Sequence, residues 1–271
     1  ILGLDLGDRS RGALCCADWL AGPEHTIAVH VLEMWSRPYI RSDAVSAVRE
    51  VTRRLASELQ VRPPARVSVV EADAAEDGLT RVSEGAAGLV IGRAAGRREQ
   101  TIGALGHVAR RVLRALPCPV VVAPRDLTAV APGPILLATD LDVASASAVT
   151  FARDLAARHG RELKVVHVGE TRYSDLIDDL EPYWQQARDA YRDELAATVH
   201  HWMAAHALIG EPHVMFGSVV DELRALAIAS QAAMIVVGSR RLGTVGRIFL
   251  GSTASALAGH APCPVAVIAA T

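Results

Sequence analysis

Two apolar runs in this 271-residue chain end in residues able to hold a phosphorylated ligand. At Ala138-Thr139-Asp140-Leu141-Asp142 a run ends in a carboxylate, followed closely by Ser145. A carboxylate there can accept hydrogen bonds from a ribose, or it can cap the helix that follows. At Val237-Gly238-Ser239-Arg240-Arg241-Leu242-Gly243-Thr244-Val245-Gly246-Arg247 a second run opens into a loop that leads to Gly251-Ser252-Thr253. Its glycines let backbone approach a ligand, and Gly251-Ser252-Thr253 offers amides and hydroxyls at a helix start, which together can cradle phosphate. A surface loop with an ordinary Ser/Thr cap has the same composition. The pattern is neither the P-loop nor the GxGxxG fingerprint.

Other constellations offer less. His30 and His167 recur in matching settings, Ala-Val-His-Val and Val-Val-His-Val, which suits a shared structural hydrogen bond better than a metal. His200, His201 and His206 lack the i, i+4 spacing that puts two ligands on one helix face. Cys15, Cys16, Cys118 and Cys263 show no CxxC or zinc-ligand spacing and read as buried structural thiols. Arg110, Arg111 and Arg114 read as a solvated basic face. No nucleophile elbow, Cys/His signature or specific carboxylate pair names a hydrolase, so no catalytic residue and no metal ligand is assigned.

The elements that must position these residues follow from hydrophobic patterning. Short apolar runs lie at 1–6, 26–32, 66–70, 88–91 and 119–123, and again at 135–139, 163–168, 213–216, 233–237 and 265–269. Continuous runs, rather than alternating ones, indicate strands covered on both faces. Helical spacing appears between them, as at 144–159, 174–206 and 219–231. Strand and helix alternating five times per copy predicts a parallel, doubly wound α/β domain. The acidic cluster Asp175, Asp178, Asp179 and Glu181 favours a helix start, and Pro182 is expected to break or restart that helix.

The series occurs twice because the chain is duplicated. Residues 105–122 and 250–267 both begin Leu-Gly and both reach Pro-Cys-Pro before a β-branched run. The repeat divides the chain into domains at 1–127 and 132–271, each with room for its own core, joined through a short linker within 124–134. The copies differ at one telling place: Ser252 follows Gly251, whereas His107 follows Gly106.

On these residues the whole chain resembles a tandem universal stress protein. Members of that family carry Gly-x2-Gly-x9-Gly-(Ser/Thr) after the fourth strand and an Asp at the end of the first. Gly238, Gly251 and Ser252 satisfy the outer part of that pattern, while Arg241 stands at the motif's second glycine. An arginine there could block the pocket or supply a charge-assisted phosphate contact, and Gly243 restores some freedom to the loop. The resemblance implies an adenine nucleotide alpha hydrolase-like fold of strand order 3-2-1-4-5, with the halves packed as a pseudo-dimer through their last strands. It implies ATP as ligand, with Mg²⁺ accompanying the phosphates. Asp140 would contact the ribose, and Thr139 and Val168 would flank the adenine. Val237 and Gly238 would continue that wall, and Gly251, Ser252 and Thr253 would hold the phosphates. In the first half Asp5 matches Asp140, but the loop from Gly92 to His107 fits the family spacing only if it starts from Gly96, and it then lacks both the first glycine and the hydroxyl, so a degenerate site is expected there.

Composition narrows the remaining classes. A hydrophobic fraction of 51% with 21% charged residues describes a globular protein, and no apolar run is long enough to span a bilayer. A net charge of −2 and 4% aromatic residues argue against nucleic acid as partner. No leader pattern precedes the first strand, and the expected compartment is the cytoplasm. The expectation is a stress-response regulator that binds ATP mainly in its C-terminal half, at most a slow ATPase, with an unidentified protein partner and a further homodimer left open. The competing expectation is a scaffold protein in which both nucleotide sites have decayed.

Overall fold

A computed structural model describes residues 1–33, 43–93, 105–142, 146–169, 181–239 and 251–270. In the first half, strands β1 (Leu2–Leu4), β2 (Ile27–Glu33), β3 (Arg66–Ala72), β4 (Leu89–Gly92) and β5 (Val120–Ala123) alternate with helices α1 (Arg9–Ala21), α2 (Ala44–Leu59), α3 (Ala75–Ser83) and α4 (His107–Ala115). The second half repeats the series with β6 (Ile135–Ala138), α5 (Ala146–His159), β7 (Leu163–Gly169), α6 (Glu181–Ala205), β8 (His213–Phe216), α7 (Val219–Ala229), β9 (Met234–Ser239), α8 (Ser252–His260) and β10 (Val265–Ala269). Of the acidic cluster, Asp175, Asp178 and Asp179 lie outside the described residues, and Pro182 falls in the first turn of α6, where proline is tolerated.

Local chemistry accounts for these elements. The strands nearest the middle of the sheet are apolar along their length, and Ile135, Leu136 and Leu137 are all fully buried. That follows from helices covering both faces. Helix α2 begins where the Asp43 side chain accepts a hydrogen bond from the Ser46 amide at 3.2 Å. It buries Val48, Thr52, Leu55, Ala56 and Leu59, a helical spacing, and stops at Gln60, whose φ is 57°.

All ten strands form one sheet in the order β3-β2-β1-β4-β5-β10-β9-β6-β7-β8. Each half therefore has the order 3-2-1-4-5, parallel throughout. At the junction β5 and β10 pair antiparallel, with Val120, Val121 and Val122 opposite Val267, Ala266 and Val265. Two apolar layers cover the sheet faces, and both cross the junction. One gathers Leu14 and Leu55 with Leu155 and Trp202, the other Leu79 and Leu113 with Leu223 and Leu257. The two halves thus share their cores where separate ones were expected, because the continuous ladder leaves no gap between side chains above and below it.

Candidate functional site

The strand order turns back at β6, which pairs with β7 on one side and β9 on the other. In doubly wound sheets ligands bind beyond the carboxyl ends of strands at such a point. Thr139 and Asp140 follow β6, while Val168 lies near the carboxyl end of β7, and Val237 and Gly238 lie near that of β9. The structure thus gathers these five at one end of three neighbouring strands. Thr139 and Val237 are buried, Val168 is half-buried, and Asp140 and Gly238 are exposed.

The turn after β6 is built from short-range hydrogen bonds. The Leu141 amide donates to Thr139 Oγ1 at 3.0 Å and the Asp142 amide to Asp140 Oδ1 at 3.2 Å. Leu141 adopts φ 66°, a conformation uncommon for a side chain with a Cβ. Leu6, after Asp5, does the same at φ 61°. A left-handed residue behind the strand-end carboxylate is therefore a feature of both halves. The repeated histidines hold this turn in place: Nδ1 of His167 donates to the Thr139 carbonyl and Nδ1 of His30 to the Leu4 carbonyl, each at 2.8 Å. Both imidazoles brace the strand end that bears the aspartate.

In the first half the strand-end aspartate is held by its own turn. Asp5 Oδ1 accepts from the Gly7 amide at 2.9 Å and from Ser10 Oγ at 2.7 Å, and Arg9 Nε lies 3.8 Å from Oδ2. Asp5 is thereby engaged in closing the turn into α1. Gly92, which ends β4, sits against that same helix: a Cβ there would lie 2.0 Å from the Arg9 carbonyl oxygen. This glycine serves helix–strand packing.

The two helix starts differ. Gly251 is the N-cap of α8 with φ −57° and ψ 147°, and, like Gly106 at the start of α4, it supplies no side-chain cap. A Cβ added at Gly251 would meet nothing within 4 Å, Ser252 is exposed and Thr253 half-buried. At the start of α4, His107 Nε2 lies 3.3 Å from Glu76 Oε1, and Arg111 Nη1 lies 3.2 Å from the same oxygen. Glu76 is only 5% exposed. Aligning the buried Leu79 of α3 with Leu223 of α7 puts Val220 where Glu76 stands. In the first half a buried carboxylate, paired with His107 and Arg111, stands beside the helix start, and in the second half a valine takes its place on the matching helix.

Arg241 and Gly243 lie outside the described residues. Arg111, read from the sequence as part of a solvated face, is the outer partner of Glu76. Glu76 itself escaped the sequence reading, since a carboxylate in the first turn of a helix ordinarily marks nothing more than a helix start. The four cysteines are free and buried. Burial raises all four thiols, that of Cys263 to about 12, which keeps them protonated and unreactive.

A family model described as the universal stress protein family matches residues 1–124 and again 133–269. A protein of Thermus aquaticus named "Universal stress protein in QAH/OAS sulfhydrylase 3'region" is 36% identical over 139 residues, covering 49% of this chain and 96% of its own length. Among solved structures, a universal stress protein from Archaeoglobus fulgidus DSM 4304 covers 100% of this chain and 98% of its own, with a TM-score of 0.64 at 19% identity. Half-chain likenesses include a universal stress protein solved in complex with cAMP, 24% identical over 52% of this chain and 99% of its own, TM-score 0.34.

Proposed function

The chain belongs to the universal stress protein family, and from that premise we propose that its second half binds an adenine nucleotide, ATP with Mg²⁺, while its first half supports the fold. The observation that carries this reading is the contrast between the two helix starts. Gly251-Ser252-Thr253 presents two hydroxyls at a helix start where Val220 takes the place of Glu76, whereas His107 is held against that buried carboxylate. Asp140 would accept from the ribose hydroxyls, Thr139 and Val168 would flank the base, and Val237 and Gly238 would complete its wall. Gly251, Ser252 and Thr253 would take the phosphates, with Arg241 and Gly243 of the preceding sequence. Mg²⁺, when bound, neutralises phosphate charge, and no residue of this chain is assigned to ligate it.

Binding then serves signalling under stress in the cytoplasm. No general base is placed for hydrolysis. Among the described residues no helix is long and apolar enough to cross a membrane. The domain limits 1–127 and 132–271, and the use of the β5–β10 pair as the counterpart of a dimer interface, are part of the same proposal. Arg241 at the motif's second glycine favours the competing reading, a scaffold protein without nucleotide.

Protein purified from cells, denatured and resolved by chromatography, is expected to release adenine nucleotide, and the stripped protein to bind added ATP. Asp140→Ala should weaken that binding at least several-fold. No released nucleotide and no measurable binding would leave the scaffold reading in its place.

A further inference from the structure

Arg93 stands immediately after β4, where the nucleotide loop of the first half departs. Its amide donates to the Ala123 carbonyl at 2.9 Å, continuing the β4–β5 ladder. Its side chain leaves its own half: Nη1 donates to the carbonyl of Ala261 at 2.8 Å. Ala261 is the C-cap of α8, the helix whose other end is Gly251-Ser252-Thr253. The topology dictates the meeting. Because β5 pairs parallel with β4 and antiparallel with β10, the carboxyl end of β4 lies at the same end of the sheet as the amino end of β10, one strand away, and so near the last turn of the helix that feeds it.

The bond is strong for its kind. A guanidinium donating to a carbonyl in a partly buried setting is charge-assisted, and the last carbonyls of a helix otherwise lack partners. Burial foremost holds the Arg93 pKa below its ordinary value, Asp126 favours the cation, and Arg224 of α7 opposes it. A cation here also offsets the negative end of the α8 dipole, so that a phosphate at the amino end meets a more positive potential. The nine residues of α8 span about 13 Å, short enough for an anchor at one end to fix the other. Matching Gly92 with Gly238 places Ser239 where Arg93 stands, and a serine side chain cannot cross the same gap. The strut runs from the first half to the second.

We infer that Arg93 is a positioning residue for the phosphate cradle of the other half: it caps and anchors α8 from across the junction, and so couples the first half's loop strand to nucleotide affinity in the second. This rests on the nucleotide reading above for its functional consequence, but not for its structural one.

The experiment therefore reads both in the full-length chain. Amide exchange in α8 is followed by NMR, with attention to Ser255, whose amide bonds the Gly251 carbonyl at 3.0 Å, and ATP affinity is measured by calorimetry. In Arg93→Ala, exchange from Ser255 to Ala258 should quicken and ATP affinity fall, each by about tenfold, the worth of one charge-assisted bond. Arg93→Lys should recover most of both. Unchanged exchange at Ser255, quickening confined to residues 259–261, equal quickening throughout the chain, or a lysine variant no better than alanine would each overturn the strut. If the unsubstituted chain binds no ATP, the nucleotide reading falls, and exchange at Ser255 still decides whether Arg93 anchors α8.

Discussion

Trp19 of α1 and His159 of α5 stack across the junction, their ring centroids 4.2 Å apart and their planes inclined by 23°. Among the described residues His159 Nε2 is buried without a hydrogen-bond partner. Burial foremost, then Arg158 and Arg161, hold its pKa below the ordinary 6.5. The unfolded chain therefore takes up the proton first as pH falls. The stability contributed by neutral His159 is complete above about pH 6.5 and drains away as the pH drops toward the folded pKa. The melting temperature should accordingly decline on acidification below that point, and His159→Phe, which keeps the stack, should flatten the decline. Equal pH slopes in the two proteins would show that the imidazole does not titrate at the junction.

The two strand-end aspartates should separate stability from binding. Asp5→Ala removes the acceptor for Gly7 and Ser10 and is expected to cost about 1 kcal/mol of stability while leaving ATP affinity unchanged. Asp140→Ala is expected to lower ATP affinity at least several-fold. Chemical denaturation alongside calorimetry tests both, and equal affinity losses from the two substitutions would contradict a single site in the second half.

Gly251 offers a cleaner probe than most glycines. Its φ of −57° suits any residue, and an added Cβ meets nothing. Gly251→Val should leave the denaturation midpoint nearly unmoved and reduce ATP affinity several-fold by intruding on the phosphates. Gly106→Ala, in the first half, should not affect affinity.

Gly12 makes the opposite prediction. A Cβ there would lie 1.7 Å from the Pro124 carbonyl oxygen, so α1 would have to lift from the chain leaving β5. Gly12→Ala is expected to cost about 3 kcal/mol, at the upper end for overpacking. Gly85→Ala, at φ 73° with open space around it, should cost about 1 kcal/mol from backbone strain alone. Denaturation midpoints would rank the two, and the reverse order would contradict the α1 contact.

Much of the fold was legible because its signals are local. Val, Ile and Leu runs such as 135–137 and 234–236 announce strands buried on both faces, and the paired Leu-Gly to Pro-Cys-Pro segments announce duplication. His30 and His167 were legible for the same reason, since a repeated histidine within a repeated strand implies a repeated hydrogen bond. The shared core was not, because whether two halves fuse their apolar layers depends on which strand edges meet. Glu76 and Arg93 were invisible for a related reason. Glu76 meets His107 from 31 positions away and Arg93 meets Ala261 from 168. Neither partner leaves a mark on the sequence near the other, and a helix-start glutamate or a post-strand arginine looks ordinary where it stands.

The β5–β10 pairing has a consequence for how such a molecule can change. In a two-fold dimer of identical chains every substitution at the seam arrives twice, so a residue is admitted only if it suits both copies of its surroundings. Here the seam lies between sequences encoded separately and present in fixed one-to-one proportion at any dilution. An arginine can settle on one side and a serine on the other, a carboxylate can take over one helix start while a valine stands at its counterpart. Covalent linkage has released the seam from symmetry, and the two halves are free to become unlike.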